Sequence, residues 1–267
     1  MFSDNDYEIY RHAWRYALAP HEESLLTDSQ CNTLLKKGGW MVRNTFDFDC
    51  DTTTEFWHVI KDSFGGMEEL SRKDRKSVRI ALKSFEYKIV DKQLVENQGY
   101  EIAQKAYDAF DIHNINMNRQ LFDNYLKGWE EKQCDFWGVY DINNNQLVGF
   151  SIVIDYDMSC SYDMACILPE YRNNNSYVFY GLYYKHNEYY LGEKKYKYVT
   201  DGTRSITDHS NVQPFLIQKF KFRKAYCKLK MHYKWWFGIV VRMLLPFRKI
   251  IRNRNVRAVL NMHMMQS

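Results

Sequence analysis

The stretch from Cys134 to Pro169 constrains the fold of this chain more than any other. It runs CDFWGVYD, then a polar INNN turn, then QLVGFSIVIDYD, and SCSYDMACIL follows almost directly before Pro169. Short runs rich in β-branched and aromatic residues, parted by brief polar turns, are strands of an antiparallel meander. Asn143, Asn144 and Asn145 suit the first turn because asparagine tolerates left-handed backbone angles.

The flanking segments extend this meander into a larger order. Before it, Tyr87 to Asp91 is a short strand, and helices follow from about Tyr100 to Phe110 and from Asn118 to Lys132. After it, Ser176 to Leu191 is a helix with apolar residues nearly all round, as expected of a buried one. Tyr196 to Thr203 is a strand, Thr207-Asp208 caps a further helix, and FRKAYCKLKMHY is the last strand. A meander leading into a strand–helix–strand crossover implies an α/β (α+β) fold. Its sheet is mixed and mostly antiparallel, with helices on both faces.

An N-terminal extension precedes this core. WMVRNTFDFD and EFWHVIKD flank the turn-prone CDTTT and are expected to pair as strands. Met67 to Phe85 is a helix with Leu70, Val78, Ala81 and Leu82 on one face. Its basic residues Arg72, Lys73, Arg75, Lys76 and Arg79 either grip phosphates or form a solvated surface. The organisation expected is an extension over 1–86, a core over 87–233 and a basic tail over 234–267.

Charge divides the chain unevenly. From His209 to Ser267 there are 13 Lys and Arg and no Asp or Glu, whereas the whole chain carries only +4. The first 208 residues are therefore acidic, which argues against a body built to bind nucleic acid. The six cysteines form no C-x-x-C pair and no zinc spacing, so they read as reduced core thiols and no metal is expected. The acidic, polar N-terminus is no secretory signal, and the expected location is cytoplasmic. The most apolar run, Trp235 to Phe247, has 13 residues and contains Arg242. A spanning helix needs roughly 20 apolar residues. Paired tryptophans followed by Arg248, Lys249, Arg252, Arg254 and Arg257 instead suit a helix lying on an anionic membrane, giving a peripheral location at its inner face. A helix folded back onto the core and a dimer contact are the alternatives for this tail.

The element order, with LPEYRNNNSY between the third meander strand and the buried helix, resembles the GNAT superfamily of acyl-CoA N-acyltransferases. NVQPFLIQKFKFRKAY is similar to that family's terminal helix and the strand after it, and EELSRKDRKSVRIALK to the basic helix of the Fem-like branch. That branch includes transferases working on cell-wall and polysaccharide precursors. The resemblance implies that acetyl-CoA or another acyl-CoA lies where the third meander strand splays from the next parallel strand. Its pantetheine would run along Cys166, Ile167 and Leu168, and its diphosphate would enter the loop after them. The family's Arg/Gln-x-x-Gly-x-Gly/Ala pattern falls on Arg172, Asn173, Asn174, Asn175, Ser176 and Tyr177. Asn175 and Tyr177 stand at the glycine positions. On the terminal helix, Ile217 replaces a frequent tyrosine and Lys221 the usual glycine.

Acyl transfer to an amine needs a base, oxyanion stabilisation and a leaving thiolate. The candidate bases are Asp201, Asp163 and His209, and Asp201 leads because it ends a parallel strand, where open α/β sheets hold ligands. The activity implied is N-acyl transfer, most simply acetyl transfer, to an amine of a small or sugar-containing acceptor. One alternative keeps the fold and takes aminoacyl-tRNA as donor, which makes tRNA the lesser candidate partner. The other is a degenerate, non-catalytic module that binds a membrane or a protein.

Overall fold

The computed structural model describes residues 2–109, 116–172, 176–206 and 211–267. Asn173, Asn174, Asn175, His209 and the Thr207-Asp208 cap lie outside the described residues. Contacts gather the chain into two units, one of Met1–Val59, Thr203–Asp208 and Lys224–Ser267, the other of Ile60–Gly202 and His209–Arg223.

In the first unit β1 (Tyr7–Tyr10) and β2 (Ala13–Tyr16) form a hairpin. Its two turn residues, Arg11 and His12, both hold positive φ (47° and 67°), the geometry that fits the strand twist and usually selects Asn-Gly. A capping box of Thr27 and Gln30 starts α1 (Asp28–Lys37). Strand β3 (Met41–Phe46) runs parallel to β2 and antiparallel to β10 (Arg223–Tyr233). The expected pairing of β3 with β4 (Phe56–Lys61) does not occur, because β10 lies between them. The intervening Thr54 hydroxyl donates to the Cys227 carbonyl at 2.8 Å. A turn signal fixes where a chain reverses, not which strand it meets, and β10 presents the alternating buried row Ala225, Cys227, Leu229 and Met231. Onto the buried cluster that Cys227, Leu229 and Met231 form with Met41 and Phe56 pack Phe237 of α8 (Trp235–Leu244) and Val259 and Met262 of α9 (Arg254–Met264).

The second unit holds the meander. Strands β5 (Phe85–Val90), β6 (Cys134–Asp141), β7 (Gln146–Asp155) and β8 (Ser159–Ile167) pair antiparallel in sequence order. Strand β9 (Tyr198–Thr203) joins β8 in parallel. The β6–β7 turn is the expected one: Asp141 accepts from the Asn143 amide at 2.9 Å, and Asn145 takes φ 55°.

Alternation along β7 assigns the helices to two faces. Phe150 meets Phe122 of α4 (Arg119–Glu130), whereas its neighbour Ser151 meets His186 of α6 (Val178–Asn187). On the first face, α3 (Lys92–Asp108) begins earlier than expected, capped by Asp91, and runs through Gly99. A Cβ there would lie 3.1 Å from the Phe122 ring and 3.3 Å from Phe150, so the glycine lets α3 approach closely. On the second face α2 (Arg72–Ser84) packs against α6, and a Cβ at Gly181 of α6 would lie 2.2 Å from the Tyr87 hydroxyl.

Candidate active site

The β8–β9 ladder is short. It contains the pairs Ser159–Tyr198, Cys160–Val199 and Ser161–Thr200 and then stops, although β8 continues to Ile167 and β9 to Thr203. Beyond Ser161 the strands part. The cause lies in β8, where Met164 opposes Ile152 and Tyr162 opposes Val153, leaving Asp163 as an extra, bulged residue. A bulge bends its strand and increases its twist. The far end of β8 stays with β7: Ile167 pairs with Gly149, whose missing Cβ would sit 2.2 Å from the Ile167 side chain, and the Leu168 amide donates to the Val148 carbonyl at 2.9 Å.

Tyr162 and Asp201 are the first residues past the last pair, one on each strand, and so flank the opening. In parallel strands, paired positions share a face and their successors share the other. Tyr162 occupies the α6 face, where its hydroxyl donates to Asn187 Oδ1 at 2.9 Å and its ring packs on His186 and Phe222. On the β9 side, the Gln213 side chain on α7 (Val212–Phe220) donates to the Asp201 carbonyl oxygen at 3.2 Å.

Asp201 keeps some solvent contact at its surface, but protein surrounds its carboxyl. That burial raises it to about 7, a hydrogen bond from Gln213 opposing. Burial also raises the Tyr162 and Tyr183 hydroxyls far above their ordinary range, and the Asp201 charge pushes both further. A carboxyl poised near neutrality beside two protonated phenols can accept a proton at physiological pH and hold it. Deeper on the same face, His186 Nε2 meets Ser151 Oγ at 3.0 Å, and burial lowers this imidazole to about 3, so it is neutral. Its Nδ1 and the Asn187 Nδ2 are buried without a hydrogen-bond partner among the described residues.

Asp163 points the other way. It is exposed, and its carboxylate accepts from the Trp129 indole of α4 at 2.8 Å, so the structure does not bring it together with Asp201. Cys166 is buried in β8, and burial pushes its thiol up to about 12, against the pull of Arg172. A thiol that stays protonated is a packing residue, not a nucleophile. The Arg172 guanidinium donates to the Ala106 carbonyl in the last turn of α3 at 3.2 Å. Ser176 donates to the Tyr171 carbonyl at 2.5 Å.

Tyr177 sits at the N-cap of α6 in the left-handed conformation, φ 53° and ψ 27°, with no side-chain cap. The amides of Val178 and Phe179 that follow belong to the first turn, whose donors have no acceptor within the helix and lie at its positive end. Lys221, which ends α7, is left-handed as well, φ 60° and ψ 29°. Both residues stand where the resemblance calls for glycine, so the backbone keeps a glycine geometry that the side chains conceal.

Sequence reasoning passed over Tyr162, Tyr183 and Gln213. A signal existed for the first, since a tyrosine alternating with Ser161 and Asp163 in a central strand needs a buried partner for its hydroxyl.

A meander, a partial parallel ladder, a bulge at the parting and a buried helix after it define a GNAT-like fold. Among solved structures the chain is similar to FemX, with TM-score 0.52 and 9% identity over 80% of this chain and 77% of that one. It is also similar to L-PGS from Bacillus licheniformis (TM-score 0.49, 10% identity, covering 80% and 74%). An acetyltransferase from Streptococcus agalactiae aligns with TM-score 0.30 and 17% identity, covering 43% of this chain and 70% of that one. No protein-family model matches the sequence, and no curated protein matches it.

Proposed function

We propose that the protein is a GNAT-type N-acyltransferase that moves an acetyl or other short acyl group from acyl-CoA to an amine of a small or sugar-containing acceptor. The observation that carries this reading is the end of the β8–β9 ladder at Ser161 and Thr200, with Asp201 on its rim. Beyond that pair the β9-facing backbone groups of β8 can bond the amides of pantetheine. The first-turn amides of α6 suit the diphosphate. Arg172, the last residue before the loop, donates to the Ala106 carbonyl of α3.

Asp201 takes the proton that the acceptor's ammonium must lose. The free amine adds to the thioester carbonyl, the C–N bond forms and the oxyanion collapses with cleavage of C–S. The proton held on Asp201 is then available to the departing thiolate. Base catalysis of this kind contributes about 10²–10⁴-fold.

One observation favours a second donor. Arg72, Lys76, Arg79 and Lys83 are exposed along a single line of α2, at intervals of four, three and four residues, and the helix they line packs on α6. Such a line suits a nucleic-acid backbone, which would make aminoacyl-tRNA the donor.

Thermal unfolding with and without about 1 mM acetyl-CoA separates the readings. The CoA reading expects a rise in Tm in wild type that Asp201→Asn retains while losing acyl transfer. A Tm unmoved by acetyl-CoA but raised by tRNA selects the second donor. A Tm unmoved by both overturns the proposal and leaves the module that binds without catalysing.

A further inference from the structure

The outward side of α8 is the wrong kind of surface for a helix in water. Its inward side, with Phe237, Gly238 and Val241, is half-buried or buried and packs into the first unit. Its outward side carries Trp235, Trp236, Ile239, Val240 and Met243, and Arg242 alone among its exposed residues is polar. A helix covered on one side normally turns charged and polar residues outward. Trp235 is 80% exposed and Met243 is 68% exposed. The apolar surface runs on through Phe247 and Ile250, the latter 75% exposed. At its other end Trp40, also exposed, meets the Trp236 ring at 5.8 Å between centroids, so three tryptophans border the patch.

The charges beside this patch identify its occupant. Arg242 lies within it and Arg248, Lys249, Arg252 and Arg257 follow it in sequence, and the chain has no Asp or Glu after Asp208. A second copy would be a poor partner, because a two-fold contact through this face brings the same cations together. An acidic protein groove would answer the charge but gives no role to three exposed tryptophans gathered at one end of the patch. Tryptophan at the headgroup level, aliphatic side chains below it and arginine at the phosphates are what a lipid surface takes up.

We propose that α8, with the segment that follows it to Arg257, is a docking surface for an anionic phospholipid bilayer. The helix lies in the interface, its Trp235–Ile239–Met243 line immersed in the acyl boundary and the arginines on the lipid phosphates. This surface is independent of the acyl-transfer chemistry. It makes the protein peripheral, since no helix among the described residues is long and apolar enough to cross a membrane.

Co-sedimentation of the full chain with unilamellar vesicles, read together with tryptophan emission, tests the proposal. Vesicles of phosphatidylcholine with about 30% phosphatidylglycerol should bind the protein and shift its emission to the blue, and pure phosphatidylcholine should bind at least about tenfold more weakly. The triple substitution Trp235→Ser, Ile239→Ser and Met243→Ser removes only exposed side chains, and should cut binding to the anionic vesicles at least about tenfold with the circular dichroism unchanged. Equal binding of wild type and triple variant overturns the proposal, as does equal binding to both vesicle types or to neither. A dimer in sedimentation equilibrium that the triple substitution dissociates would assign the face to a second copy instead.

Discussion

Tyr162 and Asp201 each follow the last hydrogen-bonded pair of the β8–β9 ladder, so a phenol and a carboxyl flank the point where two parallel strands part. The charge of Asp201 acts on the Tyr162 hydroxyl, and burial raises both groups. This is the most specific chemistry in the second unit.

Asp201→Asn should reduce kcat/KM by about 10²–10³-fold, the scale of a lost general base. In wild type the rate should rise with pH and level off above an inflection near 7, because the base works only when deprotonated. The variant's residual rate should lack that inflection. A pH–rate profile of both proteins checks this.

The same group links stability to pH. Folded Asp201 keeps its proton up to about pH 7, whereas an unperturbed aspartate releases it near 3.8. Between those values the native state binds more protons than the unfolded state, so this residue's contribution to stability is full below the window and declines as pH rises across it. Asp201→Asn should therefore be more stable than wild type at pH 8, by an amount that shrinks as the pH falls towards 4. Urea unfolding at several pH values measures the difference.

Asp163 should behave differently. Its bond to Trp129 anchors the bulge to α4, so Asp163→Ala should cost about 1 kcal/mol of stability. Its effect on kcat should stay within about threefold, far from the loss expected for a base. Denaturant melts and steady-state rates, measured side by side, separate the two carboxylates.

Lys221 spends its left-handed φ of 60° at the end of α7. Replacing it by glycine removes the steric penalty of a side chain there and should stabilise the protein by about 0.5–1 kcal/mol, whereas valine should destabilise it by more than about 1 kcal/mol. Equilibrium unfolding of the two variants gives the comparison.

The meander and the crossover were legible because turn chemistry and strand composition agree there, as at Asn145, which takes the left-handed angle its residue type favours. Tyr177 and Lys221 show the opposite case. Both adopt a backbone state that glycine normally advertises, so these two positions depart from the glycine pattern in residue type while their backbone angles do not. The β1–β2 hairpin was hidden for the same reason, since Arg11 and His12 make its turn where Asn-Gly would have marked one. Partnership was illegible too: nothing local in Met41–Phe46 says that β10, from the far end of the chain, will be its neighbour. Asp201 could be named as a candidate because the end of a parallel strand is a place the sequence can mark. Tyr162 and Tyr183 converge on it only through the pairing of β8 with β9 and the packing of α6, which no local pattern encodes.

The central claim is that the free edge of β8 beyond Ser161 holds the donor. Hydrogen–deuterium exchange of the full chain with saturating acetyl-CoA tests it most directly. Binding at the parting predicts slowed exchange for amides within 162–168 and at the start of α6, with the Ser159–Ser161 amides unchanged because β9 already pairs with that end of the strand. Acetyl-CoA that binds and leaves exchange over 162–168 unaltered would contradict the account.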